Sequence, residues 1–527
     1  MKIQERQETD VLVVGAGPTG LMLAGELALA GVTVTVAERQ QVPSGQSRGG
    51  GITARTCEIL AMRGLLDATS ERAVAREAVG GHFAGLPVPI DTRPWRTRHP
   101  DGLLIPQDRL EQVLETHALE QGAIVRRGTE LTGLAAGDSG VDAALTGPDG
   151  PVVLHSRYLV ACDGGHSTVR KLTGIAFPGR AGSMAAVSAD VELAGASSTV
   201  PRAAAHISTL TRRGGGYWML MHPLGDPDDL DAPYRVVFGG PEQATLPRDA
   251  PVTPAEVARA LVAVHGAETE LGRLHWGTRF SDATRQVTDY RHGRILVAGD
   301  AAHIHLPVGG QGLNLGVQDA MNLGWKLAAQ VRGDAPSDLL DGYHAERHPV
   351  AARVLALTRA QSVLMSPPPG ADDVRALRDI IVDLARLPDA NRYLAGMMSG
   401  LDLRYDLDDP DPLVGARMVD LCLQTASGPT TVAALLRSGR GLLLELGSPP
   451  MRPGEVRIHP RVDHVVAGVI DSPVGNALGA APGADRVLVR PDGYVCWTGA
   501  GPAASPESAL HRWFGASVPV SASAAAR

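Results

Sequence analysis

The chain has 527 residues and a net charge of −8, from 49 Lys and Arg against 57 Asp and Glu, with 44% apolar and 20% charged residues. That acidic balance, with no basic run and no aromatic residues interleaved with basic ones, argues against a general nucleic-acid binder. The polar opening MKIQERQETD leads straight into a strand, and Glu26, Thr33, Glu38 or glycine interrupts the apolar runs well short of the ~20 residues of a membrane span, so neither a signal peptide nor a membrane segment is expected.

The length predicts about three domains. DVLVVG, residues 10–15, is a short continuous apolar run of the kind found in a buried parallel strand. GAGPTG follows, then a helical stretch, LMLAGELALAG, ending at Gly31, and VTVTVAER is a second strand, so the unit is β-turn-α-β. TARTCEILAMRG, stopping at Gly64, reads as another helix. LLIPQDRLEQVLETHALEQG reads as a loop and an amphipathic helix with Leu110, Val113, Leu114 and Ala118 on one stripe. Strand-like pieces continue to RYLVACDGG. From about 180 to 285, alternating runs such as YWMLMHPL and YRVVFGG predict a mainly antiparallel sheet in an inserted second domain, after which the chain returns at GRILVAGD. SPPPGA at 366–371 and GSPPMRPG at 447–454 are loop punctuation. Beyond about 410, GLLLEL, VDHVVAGV and DRVLVRPDGYVCW read as strands and PESALHRWFG as a closing helix, and the tail SVPVSASAAAR is expected to fray. Cys57, Cys162, Cys422 and Cys496 lie far apart without C-x-x-C spacing, which predicts buried reduced thiols in a cytoplasmic protein.

Three places carry chemistry. In GAGPTG, Gly15, Gly17 and Gly20 have G-x-G-x-x-G spacing, with Pro18 and Thr19 opening the helix. The glycines permit a tight turn and close approach of a pyrophosphate to the helix N-terminus, whose unpaired N–H groups favour an anion. Glu38 ends the second strand near the spacing expected of a ribose-binding carboxylate, which would repel a 2′-phosphate. Asp163 closes YLVACDGG and Asp300 closes ILVAGD, each where a doubly wound sheet binds ligands. The stretch PVGGQGLN, residues 307–314, then aims backbone N–H groups at a second electron-rich group. Two distant Asp sites and a second helix N-terminus exceed what a nicotinamide dinucleotide needs and suit FAD, with adenosine and pyrophosphate at one end and isoalloxazine at the other. His303 and His305 read as structural, since no Cys, Asp or third His nearby completes a metal set. Trp218, Leu220 and His222 share one face of the YWMLMHPL strand, and Tyr217, Met219 and Met221 the other. One of these faces roofs a substrate cavity or both serve the core.

VLVVGAGPTGLMLAGELALAGV, SRGGGITARTCEIL, YLVACDGGHSTVRKLTGI, TRQVTDYRHGRILVAGDAAHIHLPVGGQGLNLGVQDAMNLGWKL and LLDGYHAERHPV together resemble the class A flavoprotein monooxygenases of the para-hydroxybenzoate hydroxylase type, and within them the aromatic-polyketide hydroxylases. The resemblance implies an α/β fold with a Rossmann-like FAD-binding domain (1–175 and 286–400), an inserted antiparallel β-sheet substrate domain (176–285) and a small thioredoxin-like C-terminal domain (410–520). It implies that Glu38 and Arg39 hold the adenosine end, that Arg48 and Gln107 contact FAD, and that Asp163 sits near the pyrophosphate. It places Asp300 on the ribityl side, Pro307 beside the isoalloxazine, and Gly310, Gln311, Gly312, Leu313 and Asn314 as the loop and helix start at its pyrimidine edge. Gly50 stands where many members of that family carry a bulkier residue. The implied activity is hydroxylation of a polycyclic aromatic polyketide with non-covalent FAD, transient NAD(P)H and O2, through a flavin C4a-hydroperoxide. The substrate's own phenol activates the ring, so no protein acid or base is assigned. Within the fold the rivals are Baeyer–Villiger insertion and inactivation of an antibiotic; outside it, a non-catalytic FAD-binding or assembly protein.

Overall fold

The first strand, Gln7–Val14, is buried from Val11 onward because other elements cover both of its faces. Around it, in a computed structural model, five strands run parallel in the order Ile295–Val297, Gly150–Ala161, Gln7–Val14, Val34–Glu38 and Ile124–Arg127. The structure describes residues 7–515 apart from 44, 46–48, 75–80, 204, 226–231, 248, 337, 366–371, 447–457, 471–484 and 501–504. Arg48, both proline-rich stretches and the C-terminal tail therefore lie outside the described residues. Strand Ile295–Val297 reaches the sheet from far along the chain, so residues before 175 and after 285 build one layer. The hairpin Glu130–Ala136 and Val141–Gly147 extends strand Gly150–Ala161 antiparallel.

Helix Pro18–Leu29 packs against the long helix Gln311–Arg332 through glycine. A Cβ on Gly316 would lie 2.2 Å from Thr19 Oγ1, and one on Gly324 2.5 Å from Glu26 Cβ. Those glycines bring the two helix N-termini to the same end of the sheet.

Strands Glu270–Ser281, Ala185–Gly195, Tyr234–Gly239, Tyr217–Pro223 and Thr211–Gly214 form, in that order, an entirely antiparallel sheet. Helix Pro254–His265 covers one face, burying Val257, Ala260 and Leu261 on Val187, Met219, Met221, Val236 and Phe238. The alternation of strand Tyr217–Pro223 is thereby decided. Met219 and Met221 belong to the core, while Trp218, Leu220 and His222 are half-buried on the opposite face. That helix is absent from the reading of alternation alone. Its signal is Thr253-Pro-Ala-Glu256, with Thr253 Oγ1 accepting from Glu256 N at 3.3 Å.

The C-terminal sheet runs Gly428–Thr431, Cys422–Thr425, Val462–Val469, Gly441–Glu445, Arg486–Val489, Val495–Thr498, with helix Pro506–Phe514 packed on it. Gly441–Glu445 and Val462–Val469 are its parallel pair. Buried ion pairs fasten this unit to the rest. Arg490 donates to Glu346 at 2.7 and 2.8 Å, with both side chains essentially inaccessible. Arg63 grips Glu26 at 2.6 and 2.8 Å and donates to Leu436 O and Pro491 O at 2.8 and 2.9 Å. All four cysteines are free thiols, three of them buried and Cys422 half-buried.

Candidate functional site

The ends of three neighbouring parallel strands meet where Cys162 N donates to Val14 O and Ala298 N to Ala161 O. The three glycines of the first turn have separate physical duties there. Gly15 sits at φ +105°, and a Cβ on it would lie 2.4 Å from Cys162 O. A Cβ on Gly20 would lie 2.0 Å from Gly15 O. A Cβ on Gly17 would meet nothing within 4 Å, although its backbone tolerates any residue. Gly15 and Gly20 are thus required by the fold, and Gly17 leaves a cradle open at the N-terminus of helix Pro18–Leu29. No side chain caps that terminus and no acidic residue occupies its first turn, so its dipole end suits a diphosphate.

The carboxylates around this turn differ in commitment. Glu38 braces the turn, accepting from Ala16 N at 2.8 Å and Gln40 N at 2.9 Å. Arg39 beside it is exposed. Asp163 Oδ2 caps helix Thr168–Thr173, accepting from Thr168 N at 2.7 Å and Val169 N at 3.1 Å, while its Oδ1 is buried without a partner among the described residues. A buried carboxylate oxygen with no donor is unusual and marks a place where a ligand hydroxyl or bridging water fits. Gln107, at the start of helix Gln107–Glu120, accepts from Gly49 N at 3.1 Å and donates to Glu111 at 2.8 Å.

Asp300 is exposed at the end of the strand Ile295–Val297, and its carboxylate makes no hydrogen bond or ion pair with the described residues. Its Oδ1 lies 3.7 Å from the point a Cβ on Gly312 would occupy. Between them the loop turns on Pro307 and on Gly309 and Gly310, at φ +70° and +63°. Gly310 is the N-cap of helix Gln311–Arg332, which again has no capping side chain and no acid in its first turn. Pro307 and Gly310 face outward, and Gln311 is anchored inward by donating to Met398 O at 2.8 Å. Asn314 ties the loop to a second segment: its Oδ1 accepts from Thr53 N at 2.8 Å and its Nδ2 donates to Gly310 O at 2.7 Å. Leu313 packs where a side chain on Gly49 would stand, 3.2 Å away, whereas Gly50 faces open space.

Beneath the loop lies a network that the motifs did not reveal. Asp319 accepts from Gly299 N at 3.1 Å, from Arg347 Nε at 2.7 Å, and pairs with His303 Nε2 at 2.8 Å, all three side chains fully buried. Arg347 reaches on to Tyr405 OH at 3.2 Å. Burial by itself would push Asp319 up, but Arg347 and His303 outweigh it and hold the carboxyl below the usual range. The only sequence signal for Asp319 was its position one turn beyond Leu315 on the long helix. His303 is held by this network through Nε2, whereas His305 Nδ1 donates to Leu306 O at 2.8 Å and its Nε2 is buried without a partner among the described residues, 3.7 Å from the point a Cβ on Gly312 would occupy. Burial lowers the pKa of His305. Among the described residues no three His, Cys, Asp or Glu side chains are grouped for a metal, and no helix is long and apolar enough to cross a membrane.

Trp218, Leu220 and His222 share their face with Val237 and Arg235 across the strand pair. Arg235 pairs with Asp190 at 2.5 and 2.9 Å, and Trp276 Nε1 donates to the same carboxylate at 2.7 Å. Burial first, then the Arg235 charge, lower the pKa of His222. This face is polar-aromatic and half-buried, unlike the packed methionine face behind it.

Two uncapped helix N-termini, an open glycine cradle and unpaired carboxylate oxygens along one sheet edge are the features of a flavin dinucleotide site. The FAD binding domain family matches residues 8–358, and the aromatic-ring hydroxylase C-terminal family matches residues 411–517. The chain is 45% identical over 518 residues to 12-dehydrotetracycline 5-monooxygenase/anhydrotetracycline 6-monooxygenase of Streptomyces rimosus, covering 96% of this chain and 99% of that one. It is 42% identical to rifampicin monooxygenase of Streptomyces venezuelae, with 96% and 99% covered. The crystal structure of CabE, an aromatic hydroxylase from angucycline biosynthesis, superposes with a TM-score of 0.85 at 41% identity, over 97% of this chain and all of that one. The chain belongs to the FAD-binding family of class A aromatic-ring hydroxylases and is an FAD-dependent monooxygenase.

Proposed function

We propose that the protein hydroxylates a polycyclic aromatic polyketide with NAD(P)H and O2. The observation that carries this is similarity over almost the whole chain, at 45% identity, to a monooxygenase of tetracyclic polyketides. In this reading Gly15, Gly17, Pro18, Thr19 and Gly20 seat the pyrophosphate, Glu38 and Arg39 the adenosine end, Gln107 and Asp163 the middle, and Asp300 the ribityl chain. FAD, when bound, supplies the redox and oxygen-transfer chemistry. The chain's own residues bind, orient and shield. The uncapped start of helix Gln311–Arg332 stabilises negative charge at Gly312 and Leu313. Pro307, Gly309 and Gly310 shape the wall beside the ring, and Asn314 and Asp319 keep that wall from moving. The Trp218, Leu220 and His222 face roofs the substrate. No protein acid or base is assigned, and proton transfer is left to the phenol of the substrate.

The test is to supply the purified protein with NAD(P)H, O2 and a panel of anhydrotetracycline and angucycline intermediates. A product with one added oxygen as a new phenol, by mass spectrometry and NMR, is the expected result. The same mass as a lactone that opens with base would instead establish Baeyer–Villiger insertion. NAD(P)H oxidation unaltered by every member of the panel would overturn the substrate class.

A further inference from the structure

Helix Gln311–Arg332 carries three glycines, and packing explains two of them. A Cβ on Gly316 or Gly324 would collide with helix Pro18–Leu29. Gly312 is different. Beyond its own turn a Cβ there would meet nothing closer than 3.7 Å, which is ordinary van der Waals contact, and its backbone is not left-handed. Alanine is the better helix former, so neither the helix nor its packing asks for glycine at this position.

What surrounds the missing Cβ is polar. Asp300 Oδ1 and His305 Nε2 both lie 3.7 Å from its position. The Asp300 carboxylate is exposed and has no partner among the described residues. His305 is delivered by a fixed backbone: Ile304 pairs with Arg285 and His303 with Gln286, and Val287 N donates to Ala302 O at 2.9 Å. Just beyond that pairing, His305 Nδ1 lies 2.8 Å from Leu306 O. A carbonyl only accepts, so the proton is on Nδ1 and the neutral ring presents a lone pair at Nε2. Burial lowers the pKa of His305 and so favours the neutral ring. Nε2 itself is buried and has no donor among the described residues. An acceptor left in that condition costs free energy until a donor reaches it.

Two acceptors therefore converge on one slot that a side chain at position 312 would fill. The matching ligand brings hydrogen-bond donors on neighbouring atoms. The pyrimidine edge of a flavin does not, because its N–H stands between two carbonyl oxygens and one of these would face the Asp300 carboxylate. A polyol does, since each of its adjacent hydroxyls donates.

We propose that His305 is a second ribityl-binding residue, its Nε2 accepting from one ribityl hydroxyl of FAD while Asp300 accepts from the next, with Gly312 kept small to admit the chain. The assignment rests on the ribityl chain lying at Asp300, as proposed above. The test titrates full-length apoprotein with FAD and with 2′-, 3′- and 4′-deoxy-FAD, following flavin fluorescence, and records melting curves of the apoproteins. His305→Leu removes the acceptor without adding bulk and should bind FAD about 5-fold more weakly, the worth of one neutral hydrogen bond. One deoxy analogue should already show that loss on wild type and lose nothing further on the variant. His305→Gln, whose Oε1 reaches the Nε2 position, should recover most of the affinity. Gly312→Ala should melt no lower than wild type as apoprotein yet bind FAD about 10-fold more weakly, the cost of a methyl forced into a packed space. If wild type binds every deoxy analogue as tightly as FAD, the ribityl placement falls and this assignment with it. If one analogue binds more weakly but His305→Leu binds FAD unchanged, or weakens FAD and all the analogues equally, His305 alone leaves the site. Unchanged FAD affinity in Gly312→Ala would also overturn the slot.

Discussion

At the scale of single residues, the three glycines of the first turn separate fold from cofactor. Gly17→Ala adds a Cβ to open space at an ordinary backbone conformation. The apo protein should lose no more than the roughly 1 kcal/mol of a poorer helix cap, while FAD affinity falls sharply. Gly15→Ala meets Cys162 O at 2.4 Å from φ +105° and should lower the melting temperature with or without FAD. Melting curves beside FAD titrations distinguish the two, and equal loss of apo stability in both would remove the cradle from Gly17. Asp300 makes the complementary case. Its carboxylate has no partner among the described residues, so Asp300→Ala should weaken FAD binding by roughly 1.5–3 kcal/mol, the worth of a hydrogen bond to a charged acceptor. Unchanged affinity by fluorescence titration would take Asp300 out of the ribityl site. Both residues were legible in the sequence because motif spacing encodes them; Asp163 Oδ1 as an orphan was not, since satisfaction of a polar atom is a three-dimensional fact.

At the scale of elements, helix Gln311–Arg332 is aimed by what holds its first turn. Gly310 caps it at φ +63°, and a Cβ there would come no closer than 4.0 Å to Gly51 O. The Cβ of Gly310→Val therefore meets no protein atom closer than 4.0 Å. The substitution adds about 1–2 kcal/mol of backbone strain and places branched bulk in the space the loop leaves open. The variant should keep much of its FAD, still oxidise NAD(P)H, and release more hydrogen peroxide per oxygenated product than wild type. Unchanged coupling at intact FAD content would confine the glycines to making the turn. The same helix carries Asp319, and Asp319→Ala would leave Arg347 charged, buried and unpaired, a loss of about 3–5 kcal/mol readable in a denaturant melt. The alternation of strand Tyr217–Pro223 was legible, but which face packs into the core depended on helix Pro254–His265, a partner distant in sequence.

At the scale of the whole molecule, the C-terminal unit is joined to the FAD-binding part by buried charge. Burial pushes Glu346 up, yet Arg490 and Lys326 hold it down at about 2, and burial brings Lys326 down to about 8 in spite of its partner. A carboxylate depressed from 4.5 to about 2 contributes stability above pH 4.5 that is lost as pH falls through that window. The loss is on the order of 3 kcal/mol. Thermal stability should therefore drop between about pH 4.5 and 2, and Glu346→Gln should flatten that slope while lowering stability at neutral pH. An unchanged slope in the variant would place the acid transition elsewhere. FAD should be released entirely into the supernatant on acid precipitation; yellow colour left on the pellet would show a covalent tether.

The sequence by itself determined the strand-turn-helix order, the dinucleotide turn, the strand-end aspartates and the glycine-rich helix start, because each depends on neighbours a few residues apart. Only the tertiary structure decided what joins across long separations. The Asp319–Arg347–Tyr405 chain and the Arg490–Glu346 clamp combine residues up to 144 positions apart. Burial and pairing of charged groups follow from packing between elements, and no local periodicity records which elements will meet.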